Sequence, residues 1–192
     1  MKTTLLSPQQ FVPSQWSGGS STQLYISPAN ATFSERNFEL RISTAKVEVE
    51  QSSFTPLPGI QRKLMILDGE ITIKHEGQYS KNLQAFDVDH FSGDWKTSSM
   101  GTCTDFNVMT SKPQESEFYH LKMEATKSYK FRAKQEYKKT FLYLDSGNIQ
   151  LQLRNEKFIL ETGSLFIIEH LNGSFIDLTS NEAFDVVVLE IN

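Results

Sequence analysis

The sequence predicts an all-β protein, a barrel or sandwich built from two related halves. Three observations support this prediction: apolar and polar residues alternate in short runs, glycine-containing turn signals separate those runs, and the second half repeats a pattern of the first. The 14 Phe residues also favour strands, because Phe suits pleated, half-buried surfaces. No amphipathic pattern long enough for a three-turn helix is present.

Two segments of the first half carry the strand pattern most plainly. Apolar and polar residues alternate with a period of two at 38–43 (FELRIS), which predicts a half-buried strand. The segment at 64–77 (LMILDGEITIKHEG) predicts two strands joined at Asp68-Gly69. Asp-Gly is a strong hairpin signal, because both central residues of a type I′ turn need positive φ.

The second half shows the same pattern of strand and turn signals. The segment at 141–153 (FLYLDSGNIQLQL) predicts a second hairpin around Ser146-Gly147. Further elements are expected later in the chain: turns at Asn155 and Asn172-Gly173, and a buried last strand at 184–192.

The likeness of the two predicted hairpins indicates an internal duplication. Gly69 and Gly147 are 78 residues apart, and His90 and His170, which each begin a His-x-x-Gly run, are 80 residues apart. Such similar offsets favour a duplication, while chance similarity between two hairpins stays the alternative.

A polar, turn-rich segment at 111–116 is the best candidate for a join between the halves. We therefore expect an N-terminal half at 1–111, which holds the ligand pocket, and a C-terminal half at 112–192.

Composition argues against several classes of partner. The net charge is −4, and the densest basic cluster, at 127–139, is better explained as a solvated face than as a nucleic-acid site. The single Cys103 cannot form an internal disulfide, which suits a reducing compartment. No signal peptide is evident, and no apolar run approaches the roughly 18 residues of a membrane span. We expect a cytoplasmic protein with no membrane partner.

Five segments of the first half form an ordered set of motifs. They are WSGGSST at 16–22, RNFELRISTAKVE at 36–48, FTPLPGIQRKLMILDGEI at 54–71, FSGD at 91–94 and GTCTDFNVM at 101–109. In this order they resemble the HutD family, which includes the stress-associated Ves proteins. The resemblance covers about residues 13–111, and the second half resembles the family only in its strand pattern.

The resemblance implies a bicupin: two cupin or jelly-roll-like β-barrel halves in one compact chain. It also implies a link to histidine utilisation. Family members are thought to bind a small carboxylate from histidine breakdown, such as urocanate or formylglutamate, and to limit expression of the pathway. No reaction is assigned to the family, so we expect neither a catalytic residue nor a cofactor.

The residues themselves also give no metal or nucleophile motif. Many cupins hold a metal with two His one residue apart, a nearby Glu and a third His from a later strand. The four His residues, at 75, 90, 120 and 170, form no such pattern, so we expect no metal. Cys103 is expected to be a buried, inert thiol, and no Ser lies in a G-x-S-x-G elbow.

Two arginines interrupt apolar strands. Arg41 points to the face opposite Leu40 and Ile42, and it is either an exposed residue, the partner of an acid such as Asp105, or a clamp for a ligand carboxylate. Arg62 shares a face with the apolar residues that follow it at every second position. A ligand role and a surface salt bridge are equally open for it.

The strand at 103–109 carries the polar residues that would complete a pocket. Asp105, Asn107 and Met109 alternate on one face, while Phe106 and Val108 take the other. The polar face lies either in water or in a polar pocket, and we favour the pocket mainly through the family resemblance. Asn offers a donor and an acceptor, and Asp could hold an imidazole N–H.

Four further residues complete the expected site. Trp16 and Phe54 could stack on a flat ligand, although isolated aromatic residues are more often core. Thr22 and Ser43 could donate hydroxyl groups. The full set of expected ligand-binding residues is Trp16, Thr22, Arg41, Ser43, Phe54, Arg62, Asp105, Asn107 and Met109.

Three functions follow as hypotheses. The first is a protein that binds a small carboxylate in a concave barrel site. The second is a metal-free enzyme acting on the same compounds with Asp105 as base. The third is a structural interaction module, for which homodimer formation is an expectation without a motif behind it.

Overall fold

The computed structural model describes residues 1–170 and 175–192. These residues form 18 strands and one 3-10 turn at Pro8–Gln10, so the all-β prediction is confirmed. The strands are β1 (Lys2–Leu6), β2 (Pro13–Trp16), β3 (Gly19–Ser27), β4 (Leu40–Val47), β5 (Gln51–Ser53), β6 (Gln61–His75), β7 (Tyr79–Gln84), β8 (Val88–Ser92), β9 (Thr97–Met100), β10 (Cys103–Thr110), β11 (Ser116–Met123), β12 (Ser128–Arg132), β13 (Lys139–Ser146), β14 (Asn148–Leu153), β15 (Glu156–Glu161), β16 (Leu165–Glu169), β17 (Phe175–Thr179) and β18 (Phe184–Ile191). Within this described part, no helix has the length and hydropathy of a membrane span.

The chain divides into two units. The N-terminal unit is Phe11–Pro113, and the C-terminal unit combines Met1–Gln10 with Gln114–Asn192. The expected halves, 1–111 and 112–192, differ from these units at the start of the chain. The first residues belong with the C-terminal unit because β1 pairs antiparallel with β16.

One curled sheet builds the N-terminal unit. Its strand order is β2-β3-β4-β10-β6-β9-β5, and β7 and β8 also pair with β6. The long strand β6 pairs with β10 and β8 in its first part and with β7 and β9 in its last part. A strand that changes partners along its length forces the sheet to curl and enclose a core.

The C-terminal unit contains two sheets, with strand orders β1-β16-β13-β18-β11 and β12-β17-β14-β15. Apolar side chains from both sheets form one buried cluster, in which Leu151, Phe166, Phe184 and Val188 are all at most 1% exposed. The interior of this unit is therefore a packed apolar core.

The predicted hairpin at Asp68-Gly69 is wrong, because β6 runs on through both residues. The predicted hairpin at Ser146-Gly147 is also wrong, because β13 and β14 belong to different sheets. Both glycines do have positive φ, 86° at Gly69 and 87° at Gly147. A glycine with positive φ serves a bend within a strand as well as a tight turn, and sequence alone does not separate the two.

The two glycines occupy corresponding places in their units. A Cβ on Gly69 would collide with the carbonyl oxygen of Thr102, and one on Gly147 would lie 2.8 Å from the carbonyl oxygen of Ala183. Thr102 and Ala183 each directly precede the last strand of their unit, β10 or β18. In both units a glycine therefore allows close backbone approach at the same structural position.

The other sequence predictions have mixed outcomes. The turn at Asn155, between β14 and β15, and the buried last strand β18 are confirmed. The turn expected at Asn172-Gly173 lies outside the described residues. The strand expected to be half-buried, β4, has both of its faces buried from Leu40 to Ser43.

Candidate functional site

Three neighbouring strands of the N-terminal unit place polar side chains in register. Arg41 on β4 and Arg62 on β6 are both Cα partners of Met109 on β10. Asn107 is the partner of Ser43 on β4. Directly opposed residues in antiparallel strands point to the same face of the sheet, so these five side chains share one face.

Asp105 extends this row of polar residues along β10. It lies two residues before Asn107, and alternate residues of a strand point to the same face. The expected alternation at Asp105, Asn107 and Met109 is confirmed. We call Arg41, Ser43, Arg62, Asp105 and Asn107 the polar cluster.

All members of the polar cluster are buried. Arg41 is 7% exposed and Arg62 is 6% exposed, so the exposed-surface alternatives for both are wrong. Ser43, Asp105 and Asn107 are at most 5% exposed. Burying charged groups is costly unless they gain partners, which makes the partners of each group the central question.

Side chains of β3 and β4 hold Arg41. Its Nε donates to Gln23 Oε1 at 3.1 Å, and its Nη1 donates to Ser43 Oγ at 2.8 Å. The ring of Phe33 covers one face of the guanidinium, with 4.4 Å from Cζ to the ring centroid. Burial lowers the pKa of Arg41, and the charge of Asp105 opposes that shift.

Aromatic rings hold Arg62. Its Cζ lies 4.9 Å from the ring centroid of Phe54 and 5.0 Å from that of Phe91. The Nε atom is buried without a hydrogen-bond partner among the described residues. Burial lowers the pKa of Arg62 to about 10, with the charge of Asp105 opposing and the charge of Arg41 adding to the shift.

Two side-chain oxygens of the cluster also lack hydrogen-bond partners. Oδ1 of Asp105 and Oδ1 of Asn107 are buried and accept no hydrogen bond from any described residue. Burial raises the pKa of Asp105 to about 7, although the charges of Arg62 and Arg41 lower it. The described hydrogen bonds of Arg41 go to other residues and none reaches Asp105, so the direct pairing of Arg41 with Asp105 considered from the sequence is not formed.

Three unpartnered atoms in one cluster are unusual, since the great majority of buried polar groups form hydrogen bonds. Arg62 Nε is a donor, and the oxygens of Asp105 and Asn107 are acceptors. The cluster thus presents two cationic groups, one free donor and two free acceptors. This is the chemistry that a small molecule with an anionic end and an N–H group would complete.

Two expected site residues lie away from the cluster, and one lies against it. Phe54 contacts Arg62, as described above. Thr22 is the partner of Thr44 on β4 and so points to the face opposite Ser43. Trp16 is 41% exposed on edge strand β2, and its ring lies over Gly18. Neither residue therefore reaches the polar cluster: the β3–β4 register turns Thr22 to the opposite face of the sheet, and Trp16 lies on the edge strand.

A second buried polar network lies in the same unit. His75 Nε2 lies 2.9 Å from Asp89 Oδ2, and its Nδ1 lies 2.8 Å from Thr97 Oγ1. Tyr79 OH donates to Asp89 Oδ1 at 3.0 Å. The ring centroids of His75 and Phe91 are 4.6 Å apart, and Phe91 also contacts Arg62.

Sequence reasoning missed this network, because its members are separated along the chain and match no motif spacing. It also missed Gln23, Phe33 and Phe91 of the first site. Within the described residues, no group of three or more His, Cys, Asp or Glu side chains could hold a metal ion. Cys103 is buried and free, as expected, and burial raises its pKa to about 12.

Comparisons with solved structures agree with this fold. The conserved protein of unknown function PA5104 from Pseudomonas aeruginosa PAO1 is 20% identical, with a TM-score of 0.85 over 100% of both chains. HutD from Pseudomonas fluorescens SBW25, solved in a formate condition, is 18% identical, with a TM-score of 0.71 over 100% of both chains. A cupin 2 conserved barrel domain protein from Leptotrichia buccalis is 11% identical, with a TM-score of 0.60 over 98% of this chain and 96% of that one.

At these identities the likeness shows the fold alone, which is cupin-like. A comparison with curated protein sequences gives no match. The family model named HutD matches residues 8–186, nearly the whole chain. The chain therefore belongs to the HutD family.

Proposed function

We propose that this protein is a bicupin receptor for a small carboxylate of histidine catabolism, of the urocanate or formylglutamate class, and that it modulates that pathway. One observation carries the proposal. Buried donor and acceptor atoms without partners lie beside two arginines on a single face of the N-terminal sheet.

The charge of the cluster favours an anion. Two guanidinium groups face one carboxyl, Asp105, whose pKa of about 7 leaves it partly protonated near neutral pH. The net charge of the cluster is therefore positive. A carboxylate matches the planar, forked donors of arginine, and it would offer Arg62 Nε the acceptor that this atom lacks.

The acceptor atoms favour a ligand that also carries an N–H group. Oδ1 of Asp105 and Oδ1 of Asn107 would accept from the imidazole of urocanate or the amide of formylglutamate. The rings of Phe54 and Phe91 supply apolar contact area beside Arg62. A ligand with only a carboxylate, such as formate, would use half of these groups.

The bicupin proposal draws on the corresponding strands of the two units. Met109 and Glu190 both stand seventh in the last strand of their unit. Glu190 is flanked by Glu117 and Thr140 as Cα partners, where Met109 is flanked by two arginines. With the matching bends at the two glycines, this correspondence supports two halves derived from one ancestor.

The same comparison supports a single carboxylate site, in the N-terminal unit. Glu190 is fully buried, but both of its carboxylate oxygens have partners. The backbone N–H of Lys134 donates to Oε1 at 2.7 Å, and Tyr119 OH donates to Oε2 at 3.3 Å. A carboxyl group at this position, with both of its oxygens already hydrogen-bonded within the protein, does not favour the binding of an anion.

Isothermal titration of the purified protein with urocanate, formylglutamate, histidine and formate tests the proposal. We expect urocanate or formylglutamate to bind more tightly than formate, and Arg62→Met to weaken their binding by about two orders of magnitude. Arg132→Met is the matched control, because Arg132 stacks on Phe175 at 5.4 Å in the other unit. The absence of heat or thermal shift with all four compounds at millimolar concentration, from folded protein, would refute the receptor function.

The pKa of Asp105 favours a second candidate, a metal-free enzyme on the same compounds. A carboxyl in an enclosed site with its pKa raised to about 7 suits a general base near neutral pH. Each compound would be followed by NMR with the protein at stoichiometric concentration. Turnover that disappears in Asp105→Asn at saturating ligand would support the enzyme hypothesis. Unchanged spectra over a day would contradict it and leave the receptor hypothesis.

A further inference from the structure

We propose that Phe33 is a positioning residue of the polar cluster: its ring fixes the plane of the Arg41 guanidinium and shields it from solvent. The effect of Phe33 on ligand affinity rests on the proposed function. The shielding of Arg41 does not, so the two claims can fail separately.

The position of the ring shows what it does to Arg41. Phe33 is 38% exposed, whereas Arg41 beneath it is 7% exposed, so the ring lies on the solvent side. The described hydrogen bonds of Arg41 use Nε, which donates to Gln23, and Nη1, which donates to Ser43 Oγ and, at 3.9 Å, to Met109 Sδ. With one face under a ring and one edge bonded, the Nη2 edge is left for an incoming carboxylate. Stacking and in-plane hydrogen bonding by a guanidinium are compatible.

The loop between β3 and β4 is built to present this ring. Phe33 stacks on Phe38 with 6.3 Å between centroids, and Phe38 is only 1% exposed. The N–H of Thr32 donates to Asn37 Oδ1 at 2.8 Å, and the N–H of Glu35 donates to Thr32 Oγ1 at 3.3 Å. A braced turn of this kind holds the ring in place before any ligand arrives, which lowers the cost of ordering on binding.

The chain contains a natural comparison for this contact. Phe175 covers Arg132 at 5.4 Å in the C-terminal unit, where Phe175 is 52% exposed. Arg132 itself is exposed, unlike the buried Arg41. The Phe175–Arg132 pair therefore places the same contact on an open surface, away from the buried cluster.

The test uses the full chain with Phe33→Ala, Phe33→Leu and Phe33→Tyr, and Phe175→Ala as control. Phenylglyoxal modifies accessible guanidinium groups, and peptide mass spectrometry gives its rate at Arg41 and at Arg132 separately. We expect Arg41 to react about tenfold faster in Phe33→Ala, at the wild-type rate in Phe33→Tyr, and unchanged in Phe175→Ala. Urocanate affinity should weaken by about tenfold in Phe33→Ala and be restored in Phe33→Tyr.

Each outcome decides the proposal. If Arg41 in folded Phe33→Ala reacts no faster than in wild type, Phe33 does not shield it and the proposal fails. If Phe33→Ala does not fold, Phe33→Leu replaces it, and full protection of Arg41 by Leu would overturn the role of the ring. If wild type binds none of urocanate, formylglutamate, histidine and formate, the receptor function fails, and the rate at Arg41 still decides the role of Phe33.

Discussion

Arg41 and Arg62 flank the same residue, Met109, as its Cα partners on the two neighbouring strands. No carboxylate lies between the two arginines in that row. The charge of Arg41 accordingly contributes to the lowered pKa of Arg62. An anion bound by both guanidinium groups would remove this repulsion and replace water lost on burial. The relationship explains why the cluster is costly when empty and suited to a carboxylate when filled.

Arg62→Met should separate stability from function. The change removes a buried charge with an unpartnered Nε and keeps the side-chain volume, so we expect the free energy of unfolding to stay level or rise by about 1 kcal/mol. Carboxylate binding should fall by about two orders of magnitude, since a charged, forked contact is lost. Urea denaturation and calorimetric titration measure the two effects. A strongly destabilised variant, or one that still binds, would contradict the assignment.

Asp105→Asn should change how stability depends on pH. The folded-state pKa of Asp105, about 7, lies above its ordinary value of 3.8, so the folded protein retains a proton that the unfolded chain releases. The free energy of unfolding therefore falls as pH rises from about 4 to 7, and it levels off above that. At pH 8 the variant should be more stable than wild type by about 2–4 kcal/mol, and near pH 4 the two should agree.

Urea denaturation at pH 4.5 and pH 8 checks this slope. Asp68→Asn, on the exposed part of β6, is the matched control and should change little at either pH. An equal effect of Asp105→Asn at both pH values would show that this carboxyl does not hold its proton in the folded state.

The same variant should discriminate between ligands. An N–H group forms a stronger hydrogen bond with a carboxylate than with an amide oxygen. Asp105→Asn should therefore reduce the affinity for urocanate by about fivefold at pH 8. Formate has no N–H group, and it should bind the variant at least as well as wild type, because a competing negative charge is gone. Titration of both ligands tests the orientation proposed here. Equal weakening of both would show that the contribution of Asp105 does not depend on an N–H group of the ligand, and would contradict this orientation.

The His75 network should be a stability element. His75 and Asp89 are buried, with side chains 0% and 5% exposed, and they join β6 to β8. His75→Ala would leave a cavity and remove a partner of a buried acid, so we expect a loss of about 3–5 kcal/mol in unfolding free energy. His90→Ala, on the same strand as Asp89 but exposed, should lie within about 0.5 kcal/mol of wild type. Comparable losses for both would show that the buried pair adds nothing particular.

Much of the site could be predicted from the sequence, because side-chain direction in a strand follows from odd and even position alone. That rule predicted that Arg41 and Leu40 point to opposite faces of their strand and that Asp105 and Asn107 point to the same face. It could not place Thr22, whose face relative to β4 depends on strand register. A shift in the β3–β4 register between Gln23 and Tyr25 is invisible in the sequence.

The remaining contacts depend on tertiary structure. Phe33 reaches Arg41 from a loop, and His75 meets Asp89 only because β6 and β8 pair. The sequence also left the burial of Arg41 undecided, since a strand of alternating apolar and polar residues normally has one face in water. Here the curled sheet buries the polar face as well. The alternation in β4 therefore separates a buried apolar face from a buried polar face, not a buried face from an exposed one.

Gly69→Ala should be far more costly than Gly77→Ala, although φ is similar at the two glycines, 86° and 76°. At Gly77 a Cβ would meet nothing within 4 Å, so only the backbone cost of positive φ applies, about 1–2 kcal/mol. At Gly69 a Cβ would collide with the carbonyl oxygen of Thr102, next to the start of β10. That collision would push β10 away from β6, and with it Asp105, so binding should suffer together with stability. Urea denaturation and urocanate titration of both variants measure this, and equal stability losses would show that the bend at Gly69 tolerates a side chain and does not set the position of β10.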